Sequence, residues 1–361
     1  MQSLPRKLCV QLALLPFVFS CSAQPTLEQK IGQMIMVGLP GNTVDTATPF
    51  YKDLRAGKAG GITLYERHLT PTHAAENLKN LIAAYQAAAP IPLFVAITQE
   101  GGVVNRLKEK YGFPPSPSAQ YLGTLDNPDS TKYYADLTAR TLSQLGINVN
   151  FAPVVDVFMP TNPVLGSRER TYSASTEAIT RHAAQVIRSH DHYGVHTALK
   201  HFPGHGSSTE DSHLGVTDVS RTWKREELQP YEDLLEQGLV RSIMTAHIVN
   251  TRLDTTRLPA TLSRTVITGL LRGQLKFDGV VFSDDMHMKA ISAEYGLEEA
   301  VQLAINAGVD VLLFSGNAGE GVSTAPTDLV RIISELVREG KVPEQRIDES
   351  YRRIMRMKGG F

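Results

Sequence analysis

The chain of 361 residues is 42% hydrophobic and 20% charged, with a formal net charge of −1. This is an ordinary soluble globular composition, long enough for a large core or a single barrel. Near-neutral charge lacks the basic footprint of a nucleic-acid binder, so no nucleic-acid partner is expected.

Arg6 and Lys7 precede an apolar run over residues 8–19, followed by Ser20-Cys21-Ser22-Ala23. A short basic segment, a brief apolar stretch and small residues describe an export signal, too short to span a bilayer. Residues 1–23 are therefore read as a signal peptide. Val18-Phe19-Ser20-Cys21 resembles a bacterial lipobox with Cys21 as the lipidated first mature residue, although Phe19 is bulkier than that pattern prefers. Ordinary cleavage after Ala23 is the competing reading. Cys9 and Cys21 are the only cysteines, so the mature body has no intramolecular disulfide and no thiolate metal site. The expectation is an exported periplasmic or cell-envelope monomer whose membrane contact is a single acyl anchor at Cys21.

Residues 24–361 read as one domain. Thr26-Leu27-Glu28-Gln29 has the form of a capping box opening a helix. Eight short apolar runs follow, at 33–38, 61–65, 93–98, 149–157, 197–202, 242–247, 279–284 and 311–316. Amphipathic helical patterns fill most intervals, at 130–145, 176–192, 224–237, 264–275, 297–307 and 328–339. Ser263 is the expected N-cap of the fourth. Apolar strands alternating with helices call for a parallel sheet covered on its outside. Eight such units predict an α/β fold of the (β/α)8 TIM-type barrel class. A doubly wound open sheet is the alternative, but no Gly-x-Gly-x-x-Gly follows the first strand.

In such a barrel the chemistry lies where strands end. Those ends carry Gln99-Glu100-Gly101-Gly102, Asp156, Lys200-His201, His247 and Ser283-Asp284-Asp285. The densest stretch is KHFPGHGSSTEDSH at 200–213, a strand end running into a loop bent by Pro203, Gly204 and Gly206. It packs Lys200, His201, His205, Glu210, Asp211 and His213 into fourteen residues. Solvated loop polarity would account for a sparser set.

KHFPGHG followed by DSH resembles the signature of glycoside hydrolase family 3, β-N-acetylglucosaminidase type. Further matches are QEGG at 99–102, NFAPVVDV at 150–157, NPVLG at 162–166, MTAHI at 244–248, PATLS at 259–263, FDGVVFSDDM at 277–286 and RIDESYRRIMRMK at 346–358. The resemblance implies a single-domain form of the family that cleaves terminal β-linked N-acetylglucosamine with retention, through a glycosyl-aspartate. The substrate would be a peptidoglycan fragment or a chitin-type oligosaccharide, with no cofactor and no metal. Asp284 matches the nucleophile, and Asp211 with His213 matches an aspartate–histidine acid/base pair. Histidine, titrating near 6.5 when free, can donate and accept a proton near neutrality. Lys200 and His201 match sugar-binding positions, as does an arginine after NPVLG, with Arg170 preferred and Arg168 second. Glu100 of QEGG and Thr98 before it complete the expected substrate contacts. His205 is expected to hold its loop, and His247 is open between structural and sugar-binding roles.

The family reads Asp-Gln-Glu-Gly-Gly-Arg where this chain has Thr98-Gln99-Glu100-Gly101-Gly102-Val103. A missing charge-assisted bond at Thr98 costs about 1.5–3 kcal/mol, which implies altered specificity. Three other functions compete. A metal-dependent hydrolase would draw on His196, His201, His205, His213, His247 and Asp284, but no His-x-His ends the first strand and no His-Glu-x-x-His occurs. A non-catalytic glycan-binding envelope lipoprotein would explain Thr98 and Val103. A β-glucosidase of the same family is the third.

Overall fold

The structure, a computed structural model, describes residues 24–316 and 324–359. The signal and lipobox readings over 1–23 lie outside them. Each apolar run becomes a parallel strand: β1 (Ile35–Gly38), β2 (Gly61–Leu64), β3 (Phe94–Ile97), β4 (Val149–Asn150), β5 (His196–Phe202), β6 (Ser242–Thr245), β7 (Val280–Asp285) and β8 (Val311–Phe314). They form one closed barrel in sequence order. Closure comes from β1, which pairs Met36 with Leu313 of β8 on one side and Val37 with Ile62 of β2 on the other. The barrel sheet has no open edge among the described residues, which excludes the doubly wound alternative.

Local signals account for the helices that wrap it. Thr26 and Gln29 exchange the two bonds of a capping box, at 2.9 and 3.2 Å. Asn127 caps Pro128–Leu145, and Ser175 caps Thr176–His192. Pro326–Arg338 turns Leu329, Val330, Ile333 and Leu336 inward, the spacing of one helical face. Among the described residues, no helix is long and apolar enough to cross a membrane.

Three segments differ from their sequence expectation. The run at 149–157 pairs as a strand only over Val149–Asn150 and returns through a single bridge from Val154 to Lys200. Pro153 interrupts it, having no N–H to give to a ladder. The 224–237 helix splits into a tight turn, Arg225–Leu228, and a helix, Gln229–Glu236. The 264–275 helix is wound wider, as a π-helix over Thr265–Gln274, with Leu275 N–H donating to Leu270 O at 2.9 Å. Ser263 still caps it through Val266 N–H at 3.1 Å.

Phe282 packs edge-on against Phe94 at 5.8 Å and Phe151 at 5.4 Å, so rings from opposite walls fill the barrel axis. The end where strands begin is plugged by Lys358, the last residue of the helix Glu344–Lys358. Its ammonium donates to Gln33 Oε1 at 2.7 Å and Gly60 O at 2.8 Å, and sits 4.7 Å from the centre of the Phe94 ring. Burial, with no carboxylate beside it, pulls Lys358 down to about 7.

The folded value thus lies below that of the unfolded chain, about 10.4. Between the two, the unfolded state holds the extra proton, so stability rises with pH by at most about 1.4 kcal/mol per unit. Lys358→Met should remove that component. Urea denaturation across pH 7 to 10 should show the wild type gaining on the variant as pH rises, and a pH-independent difference would rule out a desolvated lysine.

Candidate active site

The loop after β5 is shaped by steric and polar necessity. Gly204 has φ of 115°, and a Cβ there would stand 2.7 Å from Glu227 Cβ. The Glu227 carboxylate, pushed up by burial, accepts the N–H groups of Gly206 at 3.0 Å and Ser207 at 3.4 Å. Trp223 Nε1 donates to Pro203 O at 3.1 Å. Asn162, opening NPVLG, donates to His205 O at 2.8 Å and Gly206 O at 2.9 Å, and accepts from Val164 and Leu165 N–H. Beneath the loop lies Asp156, fully buried. Its carboxylate accepts His201 Nδ1–H at 2.7 Å and the backbone N–H groups of His201 at 3.1 Å and His205 at 2.7 Å.

Further along, Asp211 Oδ1 accepts both the backbone N–H and the Nδ1–H of His213, at 2.9 and 2.7 Å. The bend closes a distance that an extended strand would leave open. Because the acceptor is a carboxylate, Nδ1 carries the proton, and Nε2 has no protein partner among the described residues. The His213 side chain is 56% exposed. Burial alone would push the Asp211 carboxyl up, but the two His213 donors hold it below its ordinary range.

Opposite stands Asp284 at the end of β7, its Oδ1 accepting Asp285 N–H at 2.8 Å. Burial would raise it too, yet the His247 and His201 rings and that N–H hold it below the usual carboxylate value. Asp285 faces the wall, where it accepts Ser315 N–H at 3.2 Å, the Ser315 hydroxyl and His287 N–H at 3.1 Å. His247 is structural. Its Nε2 donates to Asp285 O at 3.0 Å and its Nδ1 meets Thr261 Oγ1 at 2.8 Å, and it lies outside the cavity lining.

A cavity of about 270 Å³ at this end brings together Thr98, Arg168, Arg170, Lys200, His201, His213 and Asp284. Asp211 stands behind His213. Glu100 differs from its expected place as a sugar contact. It lies behind the lining, forked onto Arg170 at 2.8 Å through each of two bonds and bonded to Lys200 Nζ at 2.6 Å. Burial would raise this carboxyl, but the two cations hold it far below its ordinary value. Both of its oxygens are engaged by these cations, so it aims them. Arg170 is therefore the anchored arginine, and Arg168 lines the same cavity from an exposed position.

Tyr65 and Arg106 are among the lining residues that sequence reasoning missed. Tyr65 closes the 61–65 run and so ends a strand, a signal that was present. Arg106 comes three residues past Val103 beyond a double-glycine turn, and its guanidinium lies 5.8 Å from the Tyr65 ring centre. No spacing rule points to it. Val103 itself is 61% exposed at the rim.

The histidines of the metal reading do not converge. His196 lies at the opposite end, bonded to Met357 O at 3.0 Å, and among the described residues no group of three His, Cys, Asp or Glu is arranged around a metal position. A larger cavity of about 530 Å³ also opens at that opposite end, where Arg353 and Arg356 are paired with Asp278.

Comparison with known proteins places the chain in a family. The family model for the glycosyl hydrolase family 3 N terminal domain matches residues 26–357. A beta-hexosaminidase of Tolumonas auensis is 33% identical over 273 residues, covering 75% of this chain and 79% of its own. Beta-hexosaminidase LpqI of Mycobacterium tuberculosis is 35% identical over 280 residues, 75% of this chain and 69% of its own. Among solved structures, a family 3 beta-N-acetylglucosaminidase from Paenibacillus sp. str. FPU-7 superimposes with a TM-score of 0.85 at 35% identity over 93% of this chain, which spans 62% of that protein. A beta-N-acetylhexosaminidase from Beutenbergia cavernae gives a TM-score of 0.83 at 30% identity, with 94% of this chain and 100% of the other covered. With the match running through all eight strands and the loops that line the cavity, the chain belongs to glycosyl hydrolase family 3.

Proposed function

We propose that the protein is a retaining, exo-acting β-N-acetylhexosaminidase that removes terminal β-linked N-acetylglucosamine from peptidoglycan fragments or chitin-type oligosaccharides. The observation that carries this reading is the Asp211–His213 bond of 2.7 Å, bordering the cavity that also holds the Asp284 carboxylate. The names of the relatives support the hexosaminidase part of this reading.

In the first step Asp284 attacks the anomeric carbon while the His213 imidazolium gives its Nε2 proton to the departing glycosidic oxygen. Asp211 keeps the Nδ1 proton in place and stabilises the charged ring, as the aspartate of a serine-protease triad does. After departure of the aglycone, neutral His213 has a lone pair on Nε2. It takes a proton from water, the resulting hydroxide attacks the glycosyl-aspartate, and Asp284 is regenerated. Lys200, Arg170 and His201 present donors and an acceptor to the sugar hydroxyls. Thr98 offers a neutral hydroxyl where the family has a carboxylate. A β-glucosidase would use the same groups, and a glycan-binding protein would use the cavity without turnover.

We infer export as well, supported by Arg6, Lys7 and the apolar run at 8–19, with anchoring through a lipidated Cys21. Labelled palmitate should enter the wild type and not Cys21→Ser. Label in neither would leave cleavage after Ala23 as the account.

Initial rates on chromogenic β-GlcNAc, β-GalNAc and β-glucose glycosides test the activity. β-GlcNAc should be turned over, Asp284→Asn should be inactive, and His213→Ala should lose about 10²- to 10⁴-fold in kcat. Silence on all three with the fold intact would favour the binding protein, and preference for β-glucose the glucosidase. Thr98→Asp should shift selectivity among the glycosides by about tenfold or more, the scale of one charge-assisted bond. Unchanged selectivity would remove Thr98 from sugar recognition.

A further inference from the structure

We propose that His205, through Ser212, is the positioning residue that holds the acid/base pair against the barrel. The inference rests on the reading of Asp211 and His213 as that pair.

Asp211 and His213 hydrogen-bond to each other, but neither side chain is bonded to the barrel. From residue 209 to residue 216, among the described residues, one hydrogen bond links the segment to anything outside it. That bond joins Ser212 Oγ and His205 Nε2 at 3.2 Å. Ser212 lies between the two members of the pair and is buried at 3% exposure, while the His213 side chain beside it is 56% exposed. The tether thus enters the loop at its one inward-facing polar group.

The other end of the tether is firmly held. His205 is buried, its backbone N–H donates to Asp156 Oδ1 at 2.7 Å, and its Nδ1 shares a hydrogen bond of 2.5 Å with Ser208 Oγ. The same Asp156 carboxylate takes the His201 ring at 2.7 Å. One buried anion therefore fixes both a sugar-side histidine and the root of the acid/base loop. A neutral imidazole has one donor and one acceptor nitrogen, and a serine hydroxyl serves as either partner, so both bonds of His205 are satisfied in either tautomer. Burial, followed by the nearby His201, keeps the ring neutral by pulling it down to about 4. A ring that is uncharged and bonded at both nitrogens has no proton to exchange with substrate. Its contribution is geometric.

Loss of the tether should harm proton transfer selectively. Ser212→Ala is compared with wild type on two β-GlcNAc glycosides, an alkyl one that needs protonation to depart and a 2,4-dinitrophenyl one that does not. The expected result is a kcat on the alkyl glycoside lower by about ten- to a hundredfold, part of the value of a general acid, at nearly constant KM. The first-turnover burst of dinitrophenolate should stay within about threefold of wild type. His205→Gln, checked for folding by thermal denaturation, should show the same split. Equal losses on both glycosides, or no loss on the alkyl one, would overturn the proposal. A wild type inert on both would instead overturn the hydrolase reading, and the positioning role with it.

Discussion

The site depends on two carboxylates that lie behind its lining. Glu100 and Asp156 are buried behind the cavity wall, one forked onto Arg170 and bonded to Lys200, the other onto His201 and the His205 backbone. A buried anion is costly unless its bonds are filled, and these are filled by the groups that line the cavity. The same bonds that make the anions tolerable fix the direction of two cations and an imidazole. Removing either anion would leave cations or a ring unrestrained in a low-dielectric wall, a change felt across the site.

The barrel explains why these groups meet. Closing β1 onto β8 fills the axis with Phe94, Phe151 and Phe282 and leaves polar groups room only at the ends. Lys358 occupies the end where strands begin. The other end collects Asp284 from β7, Lys200 and His201 from β5 and the bent loop beyond. Asp284 and the Asp211–His213 pair thus come from different mechanical environments, one rooted in the sheet and the other carried on a tethered loop.

Much of this was legible in the sequence because it is local. Strands buried on both faces read as apolar runs, and all eight were found at or near their places. The Asp211–His213 pairing follows from two residues in one bend, and Asp284 from its position at a strand end. What escaped was non-local. Nothing at Glu100 announces that its partner Arg170 comes 70 residues later, so its ion pairing behind the lining was not foreseen. The choice between Arg168 and Arg170 needed the same missing fact. Arg106 reaches the cavity from beyond a turn whose path no periodicity predicts. Pro153 was visible and was outweighed by the apolar residues around it.

The half-exposed setting of His213 has a consequence for how this enzyme can change. Its ring is in little of the packing, whereas Asp284 sits in a wall of bonded neighbours. Replacement of His213 is thus decoupled from the integrity of the barrel. Natural drift, or a designer seeking a variant that makes glycosidic bonds, can exchange that chemistry while the scaffold and its sugar-binding face stay whole.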